Sequence, residues 1–132
     1  MKSFKKSILA VGLALAVITS IGGTAVYATP RYVSRNVGGY GVTASSDIKY
    51  GYGTAYTSYG DYGSVTVQTT YYYCNVRNGQ SGYKTGAAGH FKSASVTLTA
   101  PNGTKSVSML SDHSCSAHGE SWSGPTFDDR EA

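Results

Sequence analysis

Charge is scarce in this chain. Asp, Glu, Lys and Arg make up 14% of its 132 residues, too few for an extended electrostatic surface. Three of the 11 basic residues, Lys2, Lys5 and Lys6, sit at the extreme N-terminus. The others (Arg31, Arg35, Lys49, Arg77, Lys84, Lys92, Lys105 and Arg130) form no cluster. The basic patch of a nucleic-acid-binding domain is therefore absent, and nucleic acid is excluded as a partner. Long apolar runs are also missing. The longest, Ile8 to Ile18, falls well short of the ~20 residues that span a bilayer. Beyond it no i, i+3, i+4 apolar pattern is sustained, and no Gly-rich loop precedes a helix, so the phosphate-cradling motifs have no place here.

Catalytic signatures are equally thin. Outside the tail the carboxylates are Asp47, Asp61, Asp112 and Glu120. No G-x-S-x-G elbow occurs, and Gly119 to Gly124 lacks its spacing. Asp112, His113 and Ser114 are the residue types of a hydrolytic triad, but neighbours on a strand point to opposite faces. Nothing places Asp61 and Glu120 at a glycosidase separation. The reading is not an enzyme, and no cofactor is called for.

What is present begins with an export signal. Lys2, Lys5 and Lys6 precede Ile8–Ile18, Gly22 and Gly23 loosen the chain, and Val26-Tyr27-Ala28 offers small residues at −3 and −1. Residues 1–28 read as a cleavable signal peptide that leaves a secreted domain of near-neutral charge with no membrane span. The only two cysteines, Cys74 and Cys115, are expected to oxidise outside the cell. A bond closing a loop of about 40 residues would contribute about 4 kcal/mol. His113, Cys115 and His118 also form H-x-C-x-x-H, which Cys74 could complete as a zinc set, but a disulfide removes both thiolates. The expectation is therefore no metal.

The fold class is all-β, a small antiparallel β-sandwich of about six strands with one disulfide. Ser64–Cys74 is the clearest strand, with Val65, Val67, Thr69, Tyr71 and Tyr73 on one face. Asn78-Gly79 follows as a turn, with Gly82 in the same loop. His90–Ala100 alternates apolar and hydroxyl residues, and Pro101-Asn102-Gly103 is expected to turn it back into Lys105–Ser111 as a hairpin. Asn102-Gly103-Thr104 matches a glycosylation sequon but reads as a turn in a chain with a bacterial type of signal. His113–Trp122 is a final strand, so the disulfide would join it to the end of the Ser64–Cys74 strand. Val37–Ile48 and Tyr50–Tyr59 are two more, and Gly60-Asp61-Tyr62-Gly63 turns the second into the next strand. Residues 29–38 are expected to be flexible, 39–124 to form the domain, and 125–132 to be an acidic tail.

Eight of the 12 tyrosines lie between Tyr50 and Tyr73. Tyr50, Tyr52, Tyr56, Tyr59 and Tyr62, interleaved with Gly51, Gly53, Gly60 and Gly63, are the candidate ligand-binding residues. Tyrosine combines a broad apolar ring with a hydroxyl at low entropic cost. An exposed row would suit a sugar ring, an apolar peptide or a second copy. Alternatively the rings are the core of a chain poor in Leu, Ile and Phe, and Trp122 is either a core plug or a platform.

The run Tyr56-Thr-Ser-Tyr59, Gly63-Ser64-Val-Thr-Val67, the polar turn from Asn75 to Gly82, and Ala88-Gly-His-Phe-Lys-Ser-Ala-Ser-Val96 resembles the lactococcin-like secreted bacteriocins. The likeness spans roughly residues 50–98 and is one of order and texture. It implies a short exported β-sandwich that acts on Gram-positive cells through a cell-wall precursor. The cysteine pair, the single tryptophan, the Pro101 turn and the greater length depart from that family, so no site residue is carried across. Two functions are expected to compete. One is a bacteriocin-like antibacterial that binds a cell-envelope component. The other is a non-toxic surface or matrix module that binds glycan or self-associates weakly through its tyrosine rows.

Overall fold

The alternation of β-branched and small residues in this chain yields strands throughout, and the turns between them follow from glycine and asparagine. The computed structural model describes residues 29–130; the expected signal peptide and the last two residues lie outside them. Eight strands form: β1 (Tyr32–Val37), β2 (Tyr40–Ile48), β3 (Tyr52–Tyr59), β4 (Ser64–Asn75), β5 (Ser81–Phe91), β6 (Ser93–Thr99), β7 (Thr104–Ala117) and β8 (Glu120–Asp129). They build two four-stranded antiparallel sheets, β1-β2-β3-β6 and β5-β4-β7-β8, packed as a sandwich.

Two of the connections are two-residue hairpins with positive φ at both turn positions, the type I′ geometry that matches strand twist. Gly38 (57°) and Gly39 (88°) join β1 to β2, and His118 (53°) and Gly119 (74°) join β7 to β8. The Asn75–Gln80 turn joins β4 to β5, with Asn75 Oδ1 accepting from the backbone N–H of Arg77 and Asn78. The Pro101 turn does something other than expected. It carries the chain from β6 in one sheet to β7 in the other, so His90–Ala100 and Lys105–Ser111 are not a hairpin. Each instead pairs with an inner strand, β6 with β3 and β7 with β4.

The first and last segments of the domain differ from expectation as well. Residues 29–38 contribute β1, and β8 runs on through Asp129 into the stretch assigned to the tail. The loop after Asn78 becomes β5, and the break placed at Asp112 lies inside a continuous β7. The N–H of Phe127 donates to the Pro30 carbonyl at 2.9 Å, tying the two sheets along this side. On the opposite side β5 passes so close to β6 that a Cβ at Gly86 would meet Val96 Cγ1 at 2.7 Å, so glycine is required there.

The inner faces carry Val37, Val42, Ile48, Ala55, Val65, Val67, Tyr71, Val96 and Met109, with Trp122 packed half-buried against them. The core face assigned to β4 is correct for Val65, Val67, Thr69 and Tyr71. Among these apolar groups lies a buried polar chain. His113 stands on β7 with its ring between Thr57 of β3, at 2.7 Å from Nδ1, and Thr126 of β8, at 2.7 Å from Nε2. Thr126 Oγ1 lies 2.7 Å from Ser46 Oγ of β2, and Ser46 Oγ lies 2.6 Å from Ser111 Oγ. Ser111 Oγ is 2.8 Å from Thr69 Oγ1, which reaches the Leu110 carbonyl at 3.2 Å. The Thr57 hydroxyl donates to the Thr66 carbonyl at 3.0 Å, so it can only accept from the ring, and Nδ1 carries a proton. Burial without a carboxylate partner pushes the His113 pKa down to about 4.

The cysteine pairing fails on register. Both thiols are buried and free. Cys74 sits across from Lys105 at one end of the β4–β7 ladder, and Cys115 sits across from Val65 at the other. The nine-residue step from Val65 to Cys74 spans roughly 30 Å along β4, against a Cα separation of about 7 Å at most for a disulfide. Antiparallel pairing puts the two cysteines at opposite ends, where the sequence reading had put them together. Burial raises the pKa of both thiols, which keeps them protonated and unreactive.

Protein prepared without reductant is expected to give two titratable thiols after unfolding in guanidinium, and the same Tm with and without reductant. A single species lacking free thiol would contradict the β4–β7 register. His113 generates an acid dependence of definite sign. Unfolded, its ring takes up a proton near 6.5; folded, only near 4. Between those values the unfolded chain holds more protons. The contribution is therefore complete above about pH 6.5 and is lost as pH falls, reaching about 3 kcal/mol at the lower end. The Tm of His113→Gln is expected to fall less steeply than wild type between pH 7 and 4; parallel curves would show that the ring is not held neutral.

Candidate binding face

The five candidate tyrosines do not form one row. Strand parity divides them, and the turns scatter the rest. In β3, Tyr52, Thr54, Tyr56 and Ser58 point away from the core, whereas Gly53, Ala55, Thr57 and Tyr59 point into it. Tyr59 is 3% exposed, and its hydroxyl donates to the Val37 carbonyl at 2.6 Å. It is a core residue, and its place among the ligand-binding candidates is withdrawn. The signal was in the sequence: residue 59 has the opposite parity to 52 and 56.

The outer face of β1-β2-β3-β6 carries three exposed tyrosines, Tyr32, Tyr52 and Tyr56. Register places Tyr32, Ser45, Tyr56 and Ser95 in one row across the four strands. The next row is Ser34, Thr43, Ser58 and Ser93, wholly of hydroxyls. On the other side of Tyr56 come Asp47, Thr54 and Thr97, then Tyr52 and Thr99. Thr54 and Thr97 share a hydrogen bond at 3.1 Å. Tyr32 is 59% exposed and Tyr56 40%. Tyr32 lies outside the five candidates because residues 29–38 read from sequence as flexible, whereas they contain β1. The buried Val33 and Val37 around exposed Ser34 and Asn36, followed by Gly38-Gly39, are the strand-and-turn signal that marks it. At one corner Asp47 lies 3.5 Å from Lys49 and 4.0 Å from Arg31, while Arg35 Nη1 donates to the Ser34 carbonyl at 2.8 Å and Lys84 Nζ to the Thr99 carbonyl at 2.7 Å.

Tyr50 leaves this face. It lies in the β2–β3 turn and lines a cleft of about 390 Å³ together with Arg31, Lys105, Asp128 and Arg130. Asp128 Oδ2 accepts from the Ile48 N–H at 2.8 Å, and burial raises its pKa. Tyr62 sits at the far end of the sandwich, 66% exposed and stacked on Phe91 with centroids 5.0 Å apart and planes at 12°. Beside it Tyr40 stacks on His118, whose Nε2 is 2.8 Å from Asp61 Oδ2. That hydrogen bond holds the Asp61 carboxyl below its usual range.

The groups considered for chemistry are dispersed. Along β7, His113 and Cys115 point into the core, Asp112 and Ser114 point out, and His118 lies beyond the strand in the turn. A ring buried like His113 has no access to substrate.

Substitution separates the two kinds of tyrosine. Tyr59→Ala is expected to lower Tm strongly, whereas Tyr52→Ser and Tyr56→Ser leave it within the small range of surface changes. Equal losses from Tyr56→Ser and Tyr59→Ala in thermal melts would show that the outer ring is structural. Neither family models, nor curated proteins, nor solved structures give a match to this chain.

Proposed function

We propose that this is an exported bacterial protein of bacteriocin type that binds a component of the cell envelope through the outer tyrosine face. The observation that carries this reading is the outer face on which Tyr32, Tyr52 and Tyr56 stand exposed among serines and threonines. Rings bounded by hydroxyls suit sugars, because the apolar face of a pyranose stacks while its rim hydroxyls find partners. The signal-like residues 1–28 support delivery outside the cell, and the resemblance over residues 50–98 supports an antibacterial outcome. The chemistry is binding, since the histidine with the most perturbed pKa is enclosed in the core.

A non-toxic surface module is the second reading, favoured by β5, a mostly exposed edge strand rich in Gly and Ala. Growth assays divide the two. Purified protein spanning residues 29–132 is expected to inhibit at least one strain of a Gram-positive panel and to sediment with isolated cell walls. The double variant Tyr52→Ser/Tyr56→Ser should do neither. Sedimentation with walls without inhibition of any strain would leave the surface module as the function.

A further inference from the structure

The face described above has a direction. None of the three strand pairs in β1-β2-β3-β6 shows a register shift, whereas the β4–β7 pair slips at Tyr72–Tyr73. The outer rows of the first sheet therefore run straight across its strands. In the row Tyr32, Ser45, Tyr56 and Ser95 the two rings are separated by two inter-strand steps, roughly 10 Å. Along β3 the rings of Tyr52 and Tyr56 are four residues apart, roughly 13 Å, with Thr54 between them already bonded to Thr97.

We infer that this face binds a linear, uncharged β-1,4-linked glycan lying across the strands, with Tyr32 and Tyr56 each stacked under one sugar ring. The inference rests on the envelope-binding reading and names the ligand class and its orientation. In an extended β-1,4-linked chain successive rings are flipped, and every second ring presents the same face. Two such residues span about the distance from Tyr32 to Tyr56. Ser45 then lies beneath the intervening sugar and Ser95 beneath the next one beyond Tyr56, where a ring would be too tall and a hydroxyl can bond. The neighbouring row of Ser34, Thr43, Ser58 and Ser93 lines one edge of the chain with donors and acceptors. Neither row carries a charged side chain; Asp47, Lys49 and Arg31 are engaged with each other at one corner, and Arg35 turns its guanidinium onto the Ser34 carbonyl at 2.8 Å. A polyhydroxyl ligand matches the hydroxyls of the two rows. The cleft at Tyr50 and the Tyr62–Phe91 stack stand apart from it and are not used.

The probe is the β-1,4-linked N-acetylglucosamine hexamer, with the dimer as the length control, titrated calorimetrically against the 29–132 protein. Isolated peptidoglycan serves as a parallel sedimentation arm. The hexamer is expected to bind at least tenfold more tightly than the dimer. Tyr32→Ala and Tyr56→Ala should each weaken hexamer binding by about tenfold, the loss of one ring contact. Both rings are exposed, so the Tm of each variant should match wild type, and Tyr62→Ala should bind as wild type does. Hexamer affinity indifferent to Tyr32→Ala and Tyr56→Ala, or to chain length, would overturn the inference. Sedimentation with peptidoglycan but no hexamer binding would overturn it while leaving envelope binding in place. Absence of binding in both arms would remove the envelope-binding reading along with it.

Discussion

The two sheets are held in register by hydroxyls as much as by apolar packing. Among the described residues the core has two leucines in or against it, buried Leu110 and Leu98 at the margin, and a single isoleucine, Ile48, and its centre is spanned by His113, Thr57, Thr126, Ser46, Ser111 and Thr69. Each of these is buried, and each would cost about 1–3 kcal/mol if left without a partner. All are satisfied only when β2 and β3 of one sheet sit opposite β4, β7 and β8 of the other at one offset. A purely aliphatic interface would tolerate sliding; this one does not.

That offset has consequences at the surface. It fixes the parity of β3, so Thr57 and Tyr59 must point inward and Tyr52 and Tyr56 outward. Tyr59 helps to close one end of the core by bonding the Val37 carbonyl at the end of β1. The outward rings are then presented by a sheet whose inner face is tied to the other sheet by Ser46 and Thr57. A stacking platform benefits from such stiffness, because little freedom remains to be lost on binding.

Much of the architecture was legible in the alternation. The faces of β4 and the outward set of β3 could be read from period two, because each strand has one buried side. The missing pieces have specific causes. β5 is mostly exposed and rich in Gly and Ala, so it lacks the apolar alternation that marks a strand; it is held by its ladder to β4 and by the close passage at Gly86. β1 and β8 are edge strands with few buried residues. The Pro101 turn has hairpin chemistry, yet whether a turn stays within a sheet or crosses between two is decided by tertiary packing. Pairing Cys74 with Cys115 followed from compartment and count alone, and neither carries register. The polar character of His113 and Thr126 gave no hint that both belong at the centre, since such residues are usually found exposed.

The line from Thr69 through Ser111, Ser46 and Thr126 to His113 has two ends that are chemically unlike: a backbone carbonyl at Leu110 and a ring nitrogen. Each hydroxyl owns one proton, so the line has a direction. Ser46 donates to Ser111, Ser111 to Thr69 and Thr69 to the Leu110 carbonyl, so these protons run away from the ring and come to rest on the backbone. The interior is thus polarised along one line that crosses from sheet to sheet, and removing any one hydroxyl strands the donor before it.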